Sequence, residues 1–507
     1  MKKVTKFVCV AAALVLSVAM LLTGCVVAPV TPQSPSSPQD STAGNTPVAP
    51  AKEAAELIWY LVGPQQEPET DKILEAANTY LKDKLNVKIN LTVLGYGDPY
   101  NNKVNTMLAA GDRIDICFTA GWAADIKANS AAGYFRELDS YLAKSSTITD
   151  IVGKAFMEGI KINGKTYAVP CRKEQVHNWG FIIKKDLAQK YNVNPADIKT
   201  MEDMEPIFET IKKNEPGTYP LLVVEGEAPF KLLDWDVISD DSIPGALYPD
   251  NRDTKIINQF LAPESIAMYK KMREYMQNGY IPADAATMQN FNDHLKTGNY
   301  FAICQSMKPG KAAEMTATTG VEWLDVNITK PVMANRDASG GALLAIPTSA
   351  KYPDQAFAFI EMLYTDKYLN NLFVYGIENE HYVKVSDNVV KLTDNTGYRA
   401  GNGWRFGDQF LNYLMDNEDP NKWEQFVAYN GQAFVLDSLG FSFDRTPVDA
   451  EHAACKAVTE TYYKQLFTGS VDVDSTVKQM EADFKAAGVD KLIAEMQRQY
   501  DAWLASK

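Results

Sequence analysis

Between residues 57 and 118 the chain alternates strand-like and helix-like segments, and that alternation restricts the fold more than any other feature. Residues 57–62 are a short apolar run, Leu-Ile-Trp-Tyr-Leu-Val. A helical stretch over 71–84 follows, with Ile73, Ala76 and Tyr80 on one face. Residues 87–94 then alternate, with Val87, Ile89, Leu91 and Val93 pointing one way. Residues 101–110 read as a second helix and 114–118 as a third strand. A β-α-β-α-β order predicts a mostly parallel sheet with helices on both faces. Ligands of such sheets bind beyond the carboxyl ends of the strands, where the turn Thr119-Ala-Gly-Trp122 lies.

The N-terminal part has another character. Lys2, Lys3 and Lys6 precede an uncharged run, 7–22, too short for a membrane span of about 20 residues. The run ends in Leu22-Thr23-Gly24-Cys25, which resembles the lipobox of bacterial lipoproteins. The resemblance implies cleavage before Cys25, acylation of its thiol and an N-terminal lipid anchor. Pro29, Pro32, Pro35, Pro38, Pro47 and Pro50 then recur among Ser, Thr, Gln and Ala, which predicts an extended tether over 25–52.

The remaining residues exceed what one core organises, so two domains are expected. The formal charge is −14, and −17 once the three lysines of the leader are gone. A field of that sign disfavours nucleic acid and anionic lipid surfaces as partners. Cys117, Cys171, Cys304 and Cys455 show no close pair and are expected as buried thiols. Gly159-Ile-Lys-Ile-Asn-Gly-Lys-Thr166 matches the P-loop letter for letter. Asn163-Gly164 between strand-like flanks predicts a β-hairpin with a type I′ turn instead. His177, His294, His381 and His452 lack ligand spacing, so no metal or cofactor is expected. Asp472-Val-Asp474 lacks the glycine of a calcium loop, and Asp474 or Ser475 is expected to cap a helix.

From Tyr100 to Asp112, then at Ile114-Asp115-Ile116 and Trp122, the chain resembles the family 1 extracellular solute-binding proteins. Gly133–Asp139, Gly164–Pro170, Gly180–Leu187, Thr297–Ala302 and Gly340–Pro347 extend the resemblance in order. Tyr375–Val383 and Gly440–Pro447 are similar to LipO-like lipoproteins, which end in a domain called DUF3502. Val477, Met480, Phe484, Leu492, Met496, Tyr500 and Trp503 continue it at helical spacing. The resemblance implies a two-domain, type II periplasmic-binding-protein-like α/β fold that closes about a hinge. It implies an ABC importer's binding protein, a monomer, delivering a small polar solute, most often a carbohydrate, to membrane permease subunits. A secreted glycoside hydrolase or lyase, or a sensory receptor, is the alternative reading. The expected boundaries are 53–170 and 171–303 for the two α/β domains, 304–400 for the return, and 401–507 for the C-terminal helical region. Crossings are expected at 170–172, at 304–306 and within 330–400.

A sugar presents C–H patches to aromatic rings and hydroxyls to polar groups, so aromatic and polar residues near the crossings are the candidates. Trp122 follows a strand end. Arg172, Glu174 and Trp179 flank the first crossing. Trp235 and Asp236 lie in a loop-like part of the second domain. Trp404 and Arg405 follow Gly401-Asn-Gly403, and His381 sits in a loop.

Overall fold

The apolar run at the start of the body forms an inner strand of a five-stranded sheet in the computed structural model. The structure describes residues 53–507 apart from 64, 65, 225, 226, 339 and 400. The leader 1–24, the lipidation expected at Cys25 and the tether 25–52 lie outside the described residues. β1 (Ala55–Val62) pairs in parallel with β2 (Val87–Leu94), from Ala55↔Val87 to Val62↔Leu94. β1 also pairs in parallel with β3 (Ile116–Thr119). The Leu343–Ala345 strand completes the sheet, antiparallel to β3 and to β4 (Ala168–Pro170). Helix α1 (Thr70–Leu85) buries Ile73, Ala77 and Leu81 against β1 and β2. Helix α2 (Asp98–Ala110) begins three residues before its predicted start, because Pro99 suits the first turn.

The second sheet has its own core. β5 (Asn178–Lys184) lies between the Trp323–Asn327 and Tyr300–Met307 strands, antiparallel to both. β6 (Tyr219–Leu222) pairs in parallel with Tyr300–Met307 at the edge. This corrects one expectation: Cys304-Gln305-Ser306 is no crossing but the middle of a strand, with Cys304 opposite Phe181. The chain stays in the second lobe through Asn327 and returns to the first at Leu343, so the second lobe extends beyond the expected residue 303.

Three passes link the lobes. At 171–177 the chain leaves β4 for β5, and His177 exchanges both backbone hydrogen bonds with Val332 of the second pass (3.0 and 2.8 Å). Val332–Met333 pairs in parallel with Phe434–Val435 of the third pass. Asn335 Nδ2 donates to the Ser438 carbonyl (2.9 Å), and the Gly440 amide donates to Asn335 Oδ1 (2.9 Å). The hinge is thus a hydrogen-bonded ribbon, not three independent tethers.

The C-terminal part divides between the lobes. Phe406 meets the edge of Trp59 in the first core at 5.9 Å between centroids. The helices Asp449–Thr468, Val473–Ala486 and Val489–Ser506 bury Phe467, Met480, Phe484, Leu492, Met496 and Tyr500 in the second core. At ~1.5–3 kcal/mol for each fully buried large apolar side chain, these six are a large part of that lobe's stability. The region is therefore helical only in part: 401–448 is mostly loop, with one helix at Lys422–Asn430. The cap of the Val473–Ala486 helix is Asp472, whose side chain accepts from the Ser475 amide at 3.0 Å, rather than Asp474 or Ser475. No helix among the described residues is long and apolar enough to cross a membrane.

Candidate functional site

The carboxyl end of the first sheet carries an open aromatic wall. β3 runs into a turn in which the Ala120 amide bonds the Ala123 carbonyl (2.8 Å) and Thr119 Oγ1 bonds the Ala124 carbonyl (2.7 Å). Asn101 of α2 fixes the same turn, accepting from the Ala124 amide at 2.7 Å. Trp122 projects from this frame with 48 % of its surface exposed. Its ring lies 5.5 Å from Phe118, 6.3 Å from Trp404 and 6.3 Å from Tyr96, which is 44 % exposed. Tyr96 follows β2 as Trp122 follows β3, so both rings stand past the ends of parallel strands, where such sheets bind ligands.

Arg405 underpins this wall and does not face it. It is buried, and its Nη1 donates to the Val62 carbonyl at the end of β1 (2.5 Å). A Cβ at position 63 would collide with that guanidinium, so Gly63 is required there. Arg405 therefore holds the Trp404 segment against β1. Arg172 is likewise committed: it pairs with Asp408 at 3.0 Å and lies 4.5 Å over the Phe410 ring, tying the first pass to 407–410.

The second lobe contributes a charged wall. Burial alone would raise the Glu174 carboxyl, but Lys173 (3.1 Å) and Lys308 (4.0 Å) outweigh it and hold the group at about 2. Trp179 is buried, and its Nε1 donates to Asp234 Oδ1 at 2.9 Å. His177 lies between Asp337 (Nδ1, 2.7 Å) and Asp234 (Nε2, 2.9 Å). Burial lowers its pKa, yet the two carboxylates raise it to about 9, so both ring nitrogens donate at neutral pH. Asp236 is buried beside Ser438, and burial, with Asp234 adding, pushes its carboxyl up to about 7.

Two candidates fall elsewhere. Trp235 is core: it is 8 % exposed, and its Nε1 donates to Ser265 Oγ at 3.2 Å. His381 is fully buried, accepting from the Ile377 amide on Nδ1 and bonding Glu69 from Nε2, each at 3.0 Å. Glu69, Glu380 and His381 bring their ligand atoms within 4.8 Å of one another. Lys72 is already paired with both carboxylates, so the group carries its own cation.

The sequence did not single out Tyr96, nor Lys308, nor Lys231 and Arg336, which both pair with Asp241 at 3.2 and 2.6 Å. Tyr96 stands after a strand end between glycines, the same signal that picked out Trp122. The other four are ordinary surface charges until the fold gathers them. The P-loop match is a hairpin: Ile162 bridges Lys165, with Asn163 at φ 52° and Gly164 at φ 77°. Cys117, Cys171, Cys304 and Cys455 are buried free thiols.

Residues 75–377 match the family model of a bacterial extracellular solute-binding protein, and residues 437–505 match DUF3502, a domain of unknown function. A carbohydrate ABC transporter substrate-binding protein of Streptococcus pneumoniae serotype 4 is 25 % identical over 461 residues, 89 % of this chain and 91 % of that protein. The crystal structure of the N-glycan transport solute binding protein of Streptococcus pneumoniae superposes with TM-score 0.81 at 24 % identity, covering 89 % of this chain and 99 % of that one. Its complex with Man5GlcNAc gives 0.69 at the same identity and coverage. An HMO binding, ABC-transporter associated solute binding protein of Bifidobacterium longum infantis gives 0.62 at 15 % identity, with coverage of 89 % and 99 %.

Proposed function

The chain belongs to the bacterial extracellular solute-binding protein family, and on that premise we propose that its solute is an oligosaccharide stacked on Trp122. It acts outside the cytoplasm as the substrate-binding component of an ABC importer, handing its solute to a membrane permease. The observation that carries the oligosaccharide reading is the exposed ring set of Trp122 and Tyr96 with half-buried Trp404, at the carboxyl end of the first sheet. A soluble protein rarely leaves large rings open together unless they meet a partner. Sugar rings offer matching C–H faces, and the charged second wall offers partners for hydroxyls. The carbohydrate relatives named above support the same class of solute.

Of the remaining candidates, we read Glu174, held by Lys173 and Lys308, as the one that meets ligand from the first pass. Arg172, Trp179, Asp236, Trp404 and Arg405 shape the cleft, and Trp235 and His381 serve the fold. Binding is the whole activity in this reading, without chemical change of the solute, and the protein works as a monomer. Cys25 carries the lipid that holds it at the outer face of the cytoplasmic membrane. Mass spectrometry of solute released from natively purified protein tests the reading: an oligosaccharide is expected, and a peptide or nucleoside in its place refutes it. The same instrument on the mature N-terminus should find acylated Cys25, and Cys25→Ser should abolish anchoring.

A further inference from the structure

The two walls differ in readiness. Trp122 and Tyr96 stand open, whereas Trp179 lies beneath two cations, Lys231 at 4.9 Å and Arg336 at 5.6 Å from its ring centroid. Both cations reach one carboxylate, Asp241, at 3.2 and 2.6 Å. All three side chains remain partly open, at 26 % for Lys231, 30 % for Arg336 and 49 % for Asp241. Arg336 stands in the turn at 335–338 of the second hinge pass, with Gly340 just beyond it. From that turn Asp337 takes His177 Nδ1, and the Gly340 carbonyl accepts from the Gly121 amide at 3.1 Å, one residue before Trp122. A single segment therefore touches the aromatic turn of the first lobe and holds a guanidinium over the second.

We propose that Arg336 is a specificity-determining residue, which with Asp241 reads the ligand's hydroxyls when the second lobe closes over a sugar stacked on Trp122. The inference rests on the oligosaccharide reading above and deepens it. An aromatic face accepts any sugar with a C–H patch and is a poor judge of hydroxyl orientation. A fixed donor fork beside a carboxylate is a good judge, because a hydroxyl that misses its partner leaves a desolvated charge unsatisfied. Arg336 has five N–H donors and Asp241 has lone pairs beyond those the ion pair uses. Such a compensated pair suits an uncharged sugar; an acidic sugar would have to displace Asp241 from its cations. Because the aromatic wall is open and the polar wall is already paired, Trp122 acts at encounter and Arg336 acts after it.

The parent protein, Trp122→Ala, Arg336→Ala and Arg336→Lys are titrated with Man5GlcNAc and with a panel of neutral oligosaccharides that differ at one hydroxyl. Association and dissociation rates are read by surface plasmon resonance, and melting temperature by calorimetry. Arg336→Ala should speed dissociation about tenfold with association unchanged, the effect of losing hydrogen bonds to a charged group. It should also narrow the spread of affinities across the panel. Arg336→Lys, which keeps the charge but not the planar fork, should hold its melting temperature and still lose selectivity. A parent that binds no member of the panel overturns the oligosaccharide reading and this inference with it. A parent that binds, beside Arg336 variants with unchanged dissociation and selectivity, overturns this inference alone.

Discussion

At the scale of single residues, Trp122 and His177 make opposite demands on their surroundings. Trp122 is held by its backbone turn and gives nearly half its surface to solvent, so removing its ring takes little from the core. Trp122→Ala should therefore weaken oligosaccharide binding about a hundredfold, while calorimetry finds the melting temperature nearly unchanged. Equal affinity at equal stability would remove it from the site, and a large loss of stability would return it to the core. His177 is buried and works through charge. Its folded pKa, about 9, lies above the ordinary 6.5, so its ion pairs stabilise fully below pH 6.5 and fade as the pH climbs through 9. Asp236, raised from 3.8 to about 7, adds a loss between those two values, since ionising it in place is unfavourable. Glu174, depressed from 4.5 to about 2, stabilises above 4.5 and fails as the pH falls towards 2. From these three groups the melting temperature should accordingly peak at about pH 4 and drop towards pH 9. Asp236→Asn should flatten the drop between pH 4 and 7; a melting curve equally steep in that variant would dissociate Asp236 from the effect. None of this was legible in the sequence. The partners of His177 lie 57 and 160 residues away, and Trp235 reads as a loop residue until Ser265 and Tyr248 close over it.

At the scale of elements, local pattern served well wherever the decisive contacts were local. The period-2 run of β2 and the first three strands fell within a residue or two of their predicted places, because one sheet face is buried and register follows from it. The Asn163-Gly164 hairpin followed from turn chemistry alone and rejected a formal P-loop match. The second crossing was misplaced for a physical reason. A strand-like segment at 304–306 reads as leading out of one unit into the next, but the strand stays within its sheet, with Gln305 buried and donating to Glu227 at 3.1 Å. The turn at 335–338 was equally hidden, since its conformation is set by the lobes it joins. There a Cβ at Gly340 would meet the backbone of Arg336, and Gly121 packs directly on Gly340. Gly340→Ala should thus cost about 1–3 kcal/mol, the usual toll of overpacking, and weaken ligand binding with it. Chemical denaturation reads the first and calorimetric titration the second; a variant with neither change would show that the turn yields freely.

At the scale of the whole molecule, the hinge ribbon joins two lobes that each hold their own core, with opposite chemistry on the two walls. In the proposed reading the rings around Trp122 supply the stacking face, while Trp179 lies under Lys231 and Arg336, whose cluster with Asp241 supplies the charged hydrogen-bond partners. A sugar that met both would have more favourable contacts in a closed form than in an open one, which is the differential affinity needed to shift a population towards closure. The three passes are paired to one another by backbone hydrogen bonds, so motion is directed into rotation about the ribbon rather than into loss of strand pairing. Small-angle scattering of this protein with saturating oligosaccharide should show a smaller radius of gyration than without it. Trp122→Ala at the same ligand concentration should keep the larger radius, because capture fails before closure can begin. Arg336→Ala should compact only while ligand is in large excess. An unchanged radius for the parent under saturation, with binding verified by calorimetry, would mean that one wall suffices and that the lobes are set in a single arrangement.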